Sequence, residues 1–134
     1  MAEIYHLSLA DILSLHELMM ARFGREPTPL RSEGLLESAI MRPRMAFHYE
    51  NVDLVRQCAL LTIGISQAQA FMDGNKRTAF AACDVFLRLN GYLFSGDPLA
   101  LARQLESVAE HKDVMLEEAT DQFEHWLRLN IAPI

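Results

Sequence analysis

Several things are scarce in this 134-residue chain, and each scarcity removes a class of protein. There are only two cysteines, Cys58 and Cys83, both in apolar surroundings and outside any Cys-x-x-Cys spacing. That leaves no disulfide framework and no cysteine zinc site, and it fits reduced core thiols in a reducing compartment. No two histidines stand at metal-ligand spacing, and no Ser-His-Asp or Cys-His arrangement is present. The longest mostly apolar stretch, residues 58–71, is interrupted by Thr62, Ser66, Gln67 and Gln69 and is too short to cross a bilayer. The N-terminal residues carry no basic segment ahead of an apolar run and no small-residue cleavage site, so the expected location is cytoplasmic, without a membrane partner. Cationic excess is missing as well. The formal charge is −6, and residues 97–134 hold three basic against eight acidic side chains, which opposes a nucleic-acid partner.

What remains is one domain's worth of sequence, residues 1–134, without repeats or low-complexity tracts. A chain of this length buries about two thirds of its unfolded surface and needs no staple. Its hydrophobic periodicity is helical almost throughout. A first helix is expected from Ser8, capped with Asp11 and presenting Leu9, Ile12, Leu13, His16, Met19 and Phe23, and ending at Gly24. Residues 25–30, with Pro27 and Pro29, read as a loop. A short second helix from about Ser32 to Met41 would bury Leu35, Leu36, Ala39 and Ile40, with Pro43 closing it and an irregular stretch to Phe47.

The third helix, from Asp53, is apolar on nearly all sides, and the fourth, Lys76 to Asn90, round much of its circumference; Gly91 stops it. Tyr92 to Phe94 reads as a short extended piece. Asp97-Pro98 opens a fifth helix to about Glu110. Asp113 is expected to cap a sixth, with Leu116, Ala119, Phe123, Trp126 and Leu127 as its stripe. The expectation is an all-α bundle of about six helices around two buried central ones, with one short extended segment.

One segment carries chemistry: Gln69-Ala70-Phe71-Met72-Asp73-Gly74-Asn75-Lys76-Arg77-Thr78. A polar loop wedged between the two most apolar helices is out of place as a mere connector. Gly74 allows close backbone approach, and the amides opening the next helix face outward with the positive end of its dipole, an anion site. Lys76 and Arg77 add charge there, and Arg77 has the fork for a phosphate. Asp73 offers a hard oxygen to a magnesium ion bridging phosphates, while Phe71 would anchor the loop in the core. The same residues also read as an ordinary Asp-Gly-Asn turn with a solvated Lys-Arg pair, and composition does not choose between the two.

The segment resembles the signature loop of the Fic/Doc family, His-x-Phe-x-Asp/Glu-Gly-Asn-x-Arg, and its Asn-Lys-Arg-Thr ending is similar to the death-on-curing branch of toxin–antitoxin toxins. The resemblance continues through Leu15-His16-Glu17, Gly34-Leu35-Leu36-Glu37-Ser38-Ala39 with Arg42-Pro43, and Phe86-Leu87-Arg88-Leu89-Asn90-Gly91, covering most of residues 7–94. It implies a compact helical fold, a nucleoside triphosphate such as ATP bound with magnesium (Mg) at the loop, and transfer of a phosphoryl or nucleotidyl group to a protein hydroxyl. It also implies a translation-related protein substrate and a cognate antitoxin. Asp73 would hold the metal, Gly74 and Asn75 would shape the phosphate cradle, and Lys76 and Arg77 would neutralise charge.

Two positions depart from the family pattern. The histidine that would accept the proton of the attacking hydroxyl falls on Gln69, whose carboxamide has no basic nitrogen. Phe80 stands where nucleotidyl-transferring members carry another arginine, which favours phosphoryl transfer. Among substitute bases, His16 reads as a core residue bonded to a carbonyl or as a functional group. His48, after the irregular stretch, likewise reads either as a residue without a functional role or as one bordering the site, and His111 and His125 read as surface residues. Met19, Met20, Met41 and Met45 are expected as core filler. Glu117, Glu118, Asp121 and Glu124 read as a solvated face or as a dock for a basic partner. Glu33 and Glu37 flank the second helix, and whether Glu37 faces the loop stays open. The expected protein is a toxin with an impaired transferase site. Two alternatives are a non-transferring nucleotide- or antitoxin-binding module and a helical interaction domain whose loop is purely structural.

Overall fold

The computed structural model describes residues 3–110 and 115–134, with backbone alone for residue 98 and residues 108–110. Among the described residues six helices follow one another: α1 (Leu9–Arg22), α2 (Glu33–Glu50), α3 (Leu54–Ala68), α4 (Asn75–Leu89), α5 (Pro98–Glu110) and α6 (Leu116–Arg128). Two three-residue strands, β1 (Tyr92–Phe94) and β2 (Ile131–Pro133), pair antiparallel with Leu93 opposite Ala132. The architecture is all-α, as the periodicity requires.

Four of the described helix starts have a local cause. Ser8 and Asp11 form a reciprocal capping box on α1. Ser32 caps α2 through the Leu35 amide, and Asp53 caps α3 through the Arg56 amide. Asp97 accepts from the Leu99 amide as α5 begins at Pro98. The Asp113 cap and His111 lie outside the described residues.

α3 is the hub. α2, α4 and α6 all pack on it, and it buries residues on every side, including Cys58, Ala59, Leu61, Ile63 and Ile65. α4 buries a broad face through Ala79, Ala82, Cys83, Phe86 and Leu87. Cys58 and Cys83 are free and fully buried, with sulfurs 3.6 Å apart, and burial pushes the Cys58 thiol well above its usual range. No helix among the described residues is long and apolar enough to cross a membrane.

Several expectations are corrected. α2 does not stop before Pro43; it runs on to Glu50 and ends at Asn51 in the left-handed conformation. An interior proline costs a helix about 3 kcal/mol. Here Leu36, Ala39, Ile40 and Pro43 repeat at the spacing of one helical stripe and are all buried, so packing on α3 outweighs the local penalty. Gly64 admits that close approach, since a Cβ there would already touch Ala39 at 3.4 Å. Leu35 lies one position off the stripe and is exposed, as are Met41 and Met45, whereas Met19 and Met20 are buried. His48 is an exposed residue of the last turn of α2, edge-on to Tyr49. Strand β2 had no signal in three residues; it exists because β1 offers it an edge, with Ile134 N donating to Gly91 O and Ser95 N to Asn130 O.

The acidic face of α6 is only partly solvated. Asp121 and Glu124 both accept from Arg56 of α3, and Glu124 also pairs with Arg128, which reaches Asp53. Glu117, Glu118 and His125 are exposed.

Candidate functional site

The loop between α3 and α4 is built from its anchor outward. Phe71 is buried at 2% exposure, with its ring stacked coplanar on that of His16 at 3.8 Å. The connection between α1 and α2 runs antiparallel beside it: Leu30 bridges Phe71, Met72 N donates to Pro29 O, and Arg31 N and Ser32 N both donate to Ala70 O. The loop is therefore tied to the core and to a neighbouring segment, which is not how an idle turn is held.

Gly74 is the N-cap of α4, with φ +85°, a conformation that favours glycine. Having no side chain, it leaves the first-turn amides of α4 without a side-chain cap. Its own amide donates to Asp73 Oδ1 at 2.8 Å, while Thr78 N and Oγ1 both donate to its carbonyl. Asn75 turns its amide side chain back onto Phe71 and so shapes the loop from within. Asp73 Oδ2 accepts from Arg25 at 2.6 Å. The Gly74 amide holds the Asp73 carboxyl below its usual range, working against desolvation and helped by Arg25 and by the charge of Arg77.

Above the loop lies a cavity of about 640 Å3, in the range that takes small-molecule ligands. Gln69, Asp73, Gly74, Asn75, Lys76 and Arg77 all line it, so the structure brings together every site residue named from the sequence. Gln69 is the left-handed C-cap of α3, and its Nε2 donates to Ser66 O. Lys76 is exposed, and the Arg77 guanidinium lies over the Phe23 ring, 4.4 Å from its centroid. The rest of the lining is mostly apolar, with Met19, Phe23, Met72 and Phe80 together with Leu99, Ala102 and Leu105 of α5, and α5 also contributes Glu106. Uncapped amides, two cations and one carboxylate at the edge of such a cavity can hold a polyanion and, with it, a divalent cation.

The structure also resolves the substitute bases. His16 is a buried core residue whose Nε2 donates to the carbonyl of Asp73 at 2.9 Å. The carbonyl foreseen for it thus belongs to the signature loop itself. His48 and Glu37 do not line the cavity. Arg25, Thr28, Glu106 and the α5 wall had no local signal: Arg25 and Thr28 sit in a proline-broken loop, and α5 is distant in sequence.

The comparisons with known proteins agree with this geometry. The family model described as Fic/DOC family matches residues 6–87. The chain is 32% identical over 87 residues, covering 64% of it and 68% of the relative, to "Protein kinase doc" of Escherichia phage P1. It is 34% identical over 96 residues, covering 69% of each, to "Toxin Doc" of Mycolicibacterium smegmatis. The buried anchor, the glycine-capped helix and these similarities together place the chain in the Fic/DOC family, on its Doc-like side.

Proposed function

We propose that this chain is the toxin of a toxin–antitoxin pair, with a cognate antitoxin as partner. In this reading it transfers a phosphoryl group from a nucleoside triphosphate to a hydroxyl of a translation-related protein, with magnesium as cofactor. The observation that carries the reading is the uncapped start of α4, which aims amides, Lys76 and Arg77 at one end of a ligand-sized cavity beside Asp73. The names of the two relatives, a protein kinase and a toxin, point the same way.

In this mechanism the α4 amides and Arg77 bind the phosphates, Arg77 leaving the face of Phe23 to do so. The hydroxyl oxygen bonds to the γ-phosphorus, the bond to the β–γ bridging oxygen breaks, and nucleoside diphosphate leaves with that electron pair. Gln69 can orient the attacking hydroxyl but cannot take its proton, which passes to water, so the reaction is slow. Phe80 presents an apolar wall where a further cation would favour the α-phosphate, and this supports phosphoryl over nucleotidyl transfer.

Magnesium fits the donor set in one way only. Among the described residues no three His, Cys, Asp or Glu side chains gather into a protein cage. Asp73 is a single carboxylate whose oxygens keep lone pairs beyond those facing Gly74 N and Arg25. One carboxylate with phosphate oxygens and waters is an ordinary magnesium environment. There the ion would neutralise charge developing on the phosphates.

The test is transfer of label from ATP to protein in a cell lysate, comparing the wild type with Gln69→His, alongside growth on expression. Transfer that rises in the variant supports the reading. ATP and magnesium binding without transfer in either protein supports a non-transferring binding module, the reading that Gln69 itself favours. Absence of binding, with no effect of Arg77→Ala, leaves a structural loop.

A further inference from the structure

Asp73 is gripped from outside its own loop. Thr28 Oγ1 donates to the Asp73 carbonyl at 3.1 Å and accepts from the Asp73 amide at 3.2 Å, so one hydroxyl joins both ends of one residue's backbone. His16 Nε2 reaches the same carbonyl at 2.9 Å from below. A carbonyl only accepts, so Nε2 carries a hydrogen. That nitrogen also approaches Thr28 Oγ1 at 3.4 Å, on the hydroxyl's second acceptor site. The imidazole has little room to swing. It stacks flat on Phe71, and Gly74 passes so close that an added Cβ would stand 3.3 Å from its ring atoms.

Thr28 comes from a loop broken by prolines and His16 from the middle of α1, yet both converge on a single peptide. Nothing in the fold of α1 or of the 25–32 segment requires that convergence, since Ala70 and Met72 already tie this segment to the signature loop. What the convergence fixes is the point from which the Asp73 carboxylate projects, leaving it only side-chain torsions. We propose that Thr28 and His16 are positioning residues that aim Asp73 at a magnesium ion shared with the bound phosphates. This deepens the function proposed above and rests on its assignment of Asp73.

Two measurements on the full chain test it. The first is hydrogen exchange of the Asp73 amide in the free protein, followed by NMR. The second is the magnesium concentration that gives half-maximal ATP binding by calorimetry. Thr28→Val keeps the shape and removes both bonds; Thr28→Ser keeps the hydroxyl. His16→Phe keeps the stack on Phe71 and removes the donor, whereas His16→Gln keeps an N–H. Partners that orient a metal ligand typically contribute about 10–100-fold in metal affinity. Thr28→Val is therefore expected to speed Asp73 exchange and to raise the magnesium midpoint about tenfold. Thr28→Ser and His16→Gln are expected to leave both close to the wild type, and His16→Phe to shift them in the direction of Thr28→Val. Thr28 is only partly buried in a loop, so its variants have no core to disrupt.

Faster exchange with an unmoved magnesium midpoint would make the clamp purely structural and overturn the proposal, as would unchanged exchange. A wild type that binds no ATP with magnesium removes the function proposed above, and this inference with it. A wild type that binds normally beside indifferent Thr28 and His16 variants removes this inference alone.

Discussion

Asn75 returns both polar atoms of its side chain to the backbone of Phe71: the Phe71 amide donates to Oδ1 at 3.0 Å, and Nδ2 donates to the Phe71 carbonyl at 2.9 Å. The start of α4 is thereby locked to the one loop residue sunk in the core. A ring of five residues is closed at both ends, with Asp73 and Gly74 at its outer edge. The first turn of α4 has no side-chain cap, because its N-cap is Gly74 and the Asn75 side chain that follows is turned inward onto Phe71.

Replacing Asn75 with alanine leaves two buried backbone groups of Phe71 unpaired, at about 1–3 kcal/mol each. Asn75→Asp keeps the acceptor, loses the donor and adds a negative charge beside the anion site. Urea unfolding should show Asn75→Ala destabilised by about 2 kcal/mol or more. ATP binding should be lost more completely in Asn75→Asp than its stability alone accounts for.

Gly74→Ala meets two obstacles. Its φ of +85° disfavours any L side chain, and the new Cβ would lie 2.7 Å from the sulfur of buried Met20. Strain of this kind costs about 1–3 kcal/mol. A lowered urea midpoint with an unchanged slope is the expected result, together with weaker ATP binding, because the amides that face the cavity move with the cap.

Gln69→His supplies the missing proton acceptor. Histidine tolerates the left-handed conformation Gln69 occupies at φ 53°, so the fold should accept it. General-base help is worth about 10²–10⁴ in rate. Label in the γ-phosphate should appear on protein faster by about that factor. Label in the α-phosphate should stay with the released nucleotide, and its appearance on protein would show nucleotidyl transfer instead.

The Asp73 carboxyl sits below its ordinary value of 3.8, through the Gly74 amide first and then Arg25 and Arg77 against desolvation. A depressed carboxyl contributes stability above its unfolded pKa and loses it as pH falls through the folded value. Its contribution is thus intact from about pH 5 upward and disappears on the acid side of pH 4. A carboxyl-carbon NMR titration should place Asp73 below 3.8. Arg25→Met should raise it only part of the way back, because the Gly74 amide remains. A variant that titrates like the wild type would show that Arg25 does not hold the carboxylate in solution.

Local chemistry made much of this fold legible. The Ser8 box, the helix starts near Ser32 and Asp53, Gly91 and the Asp97-Pro98 start are each decided within a few residues, and the structure has them where expected. The all-round apolarity of α3 marked the hub, and the polar stretch between two apolar helices marked the site. Where a tertiary term exceeded a local one, the reading failed: Pro43 is a helix breaker overruled by packing on α3, and β2 is a strand only because β1 lies beside it.

The sequence by itself determined the helical class, the identity of the loop and the chemical types it offers: a carboxylate, two cations, a glycine and a glutamine. All of these are properties of residues near one another along the chain. Only the tertiary structure decided how that chemistry is held. It set His16 under the loop, Thr28 across the Asp73 peptide, Arg25 on the carboxylate, Phe23 beneath Arg77 and α5 along the cavity. These contacts span up to 57 residues of separation, and no short-range preference encodes them. They arise because closing the core round α3 brings distant segments to the same few ångströms, where directional hydrogen bonds select among the neighbours they find.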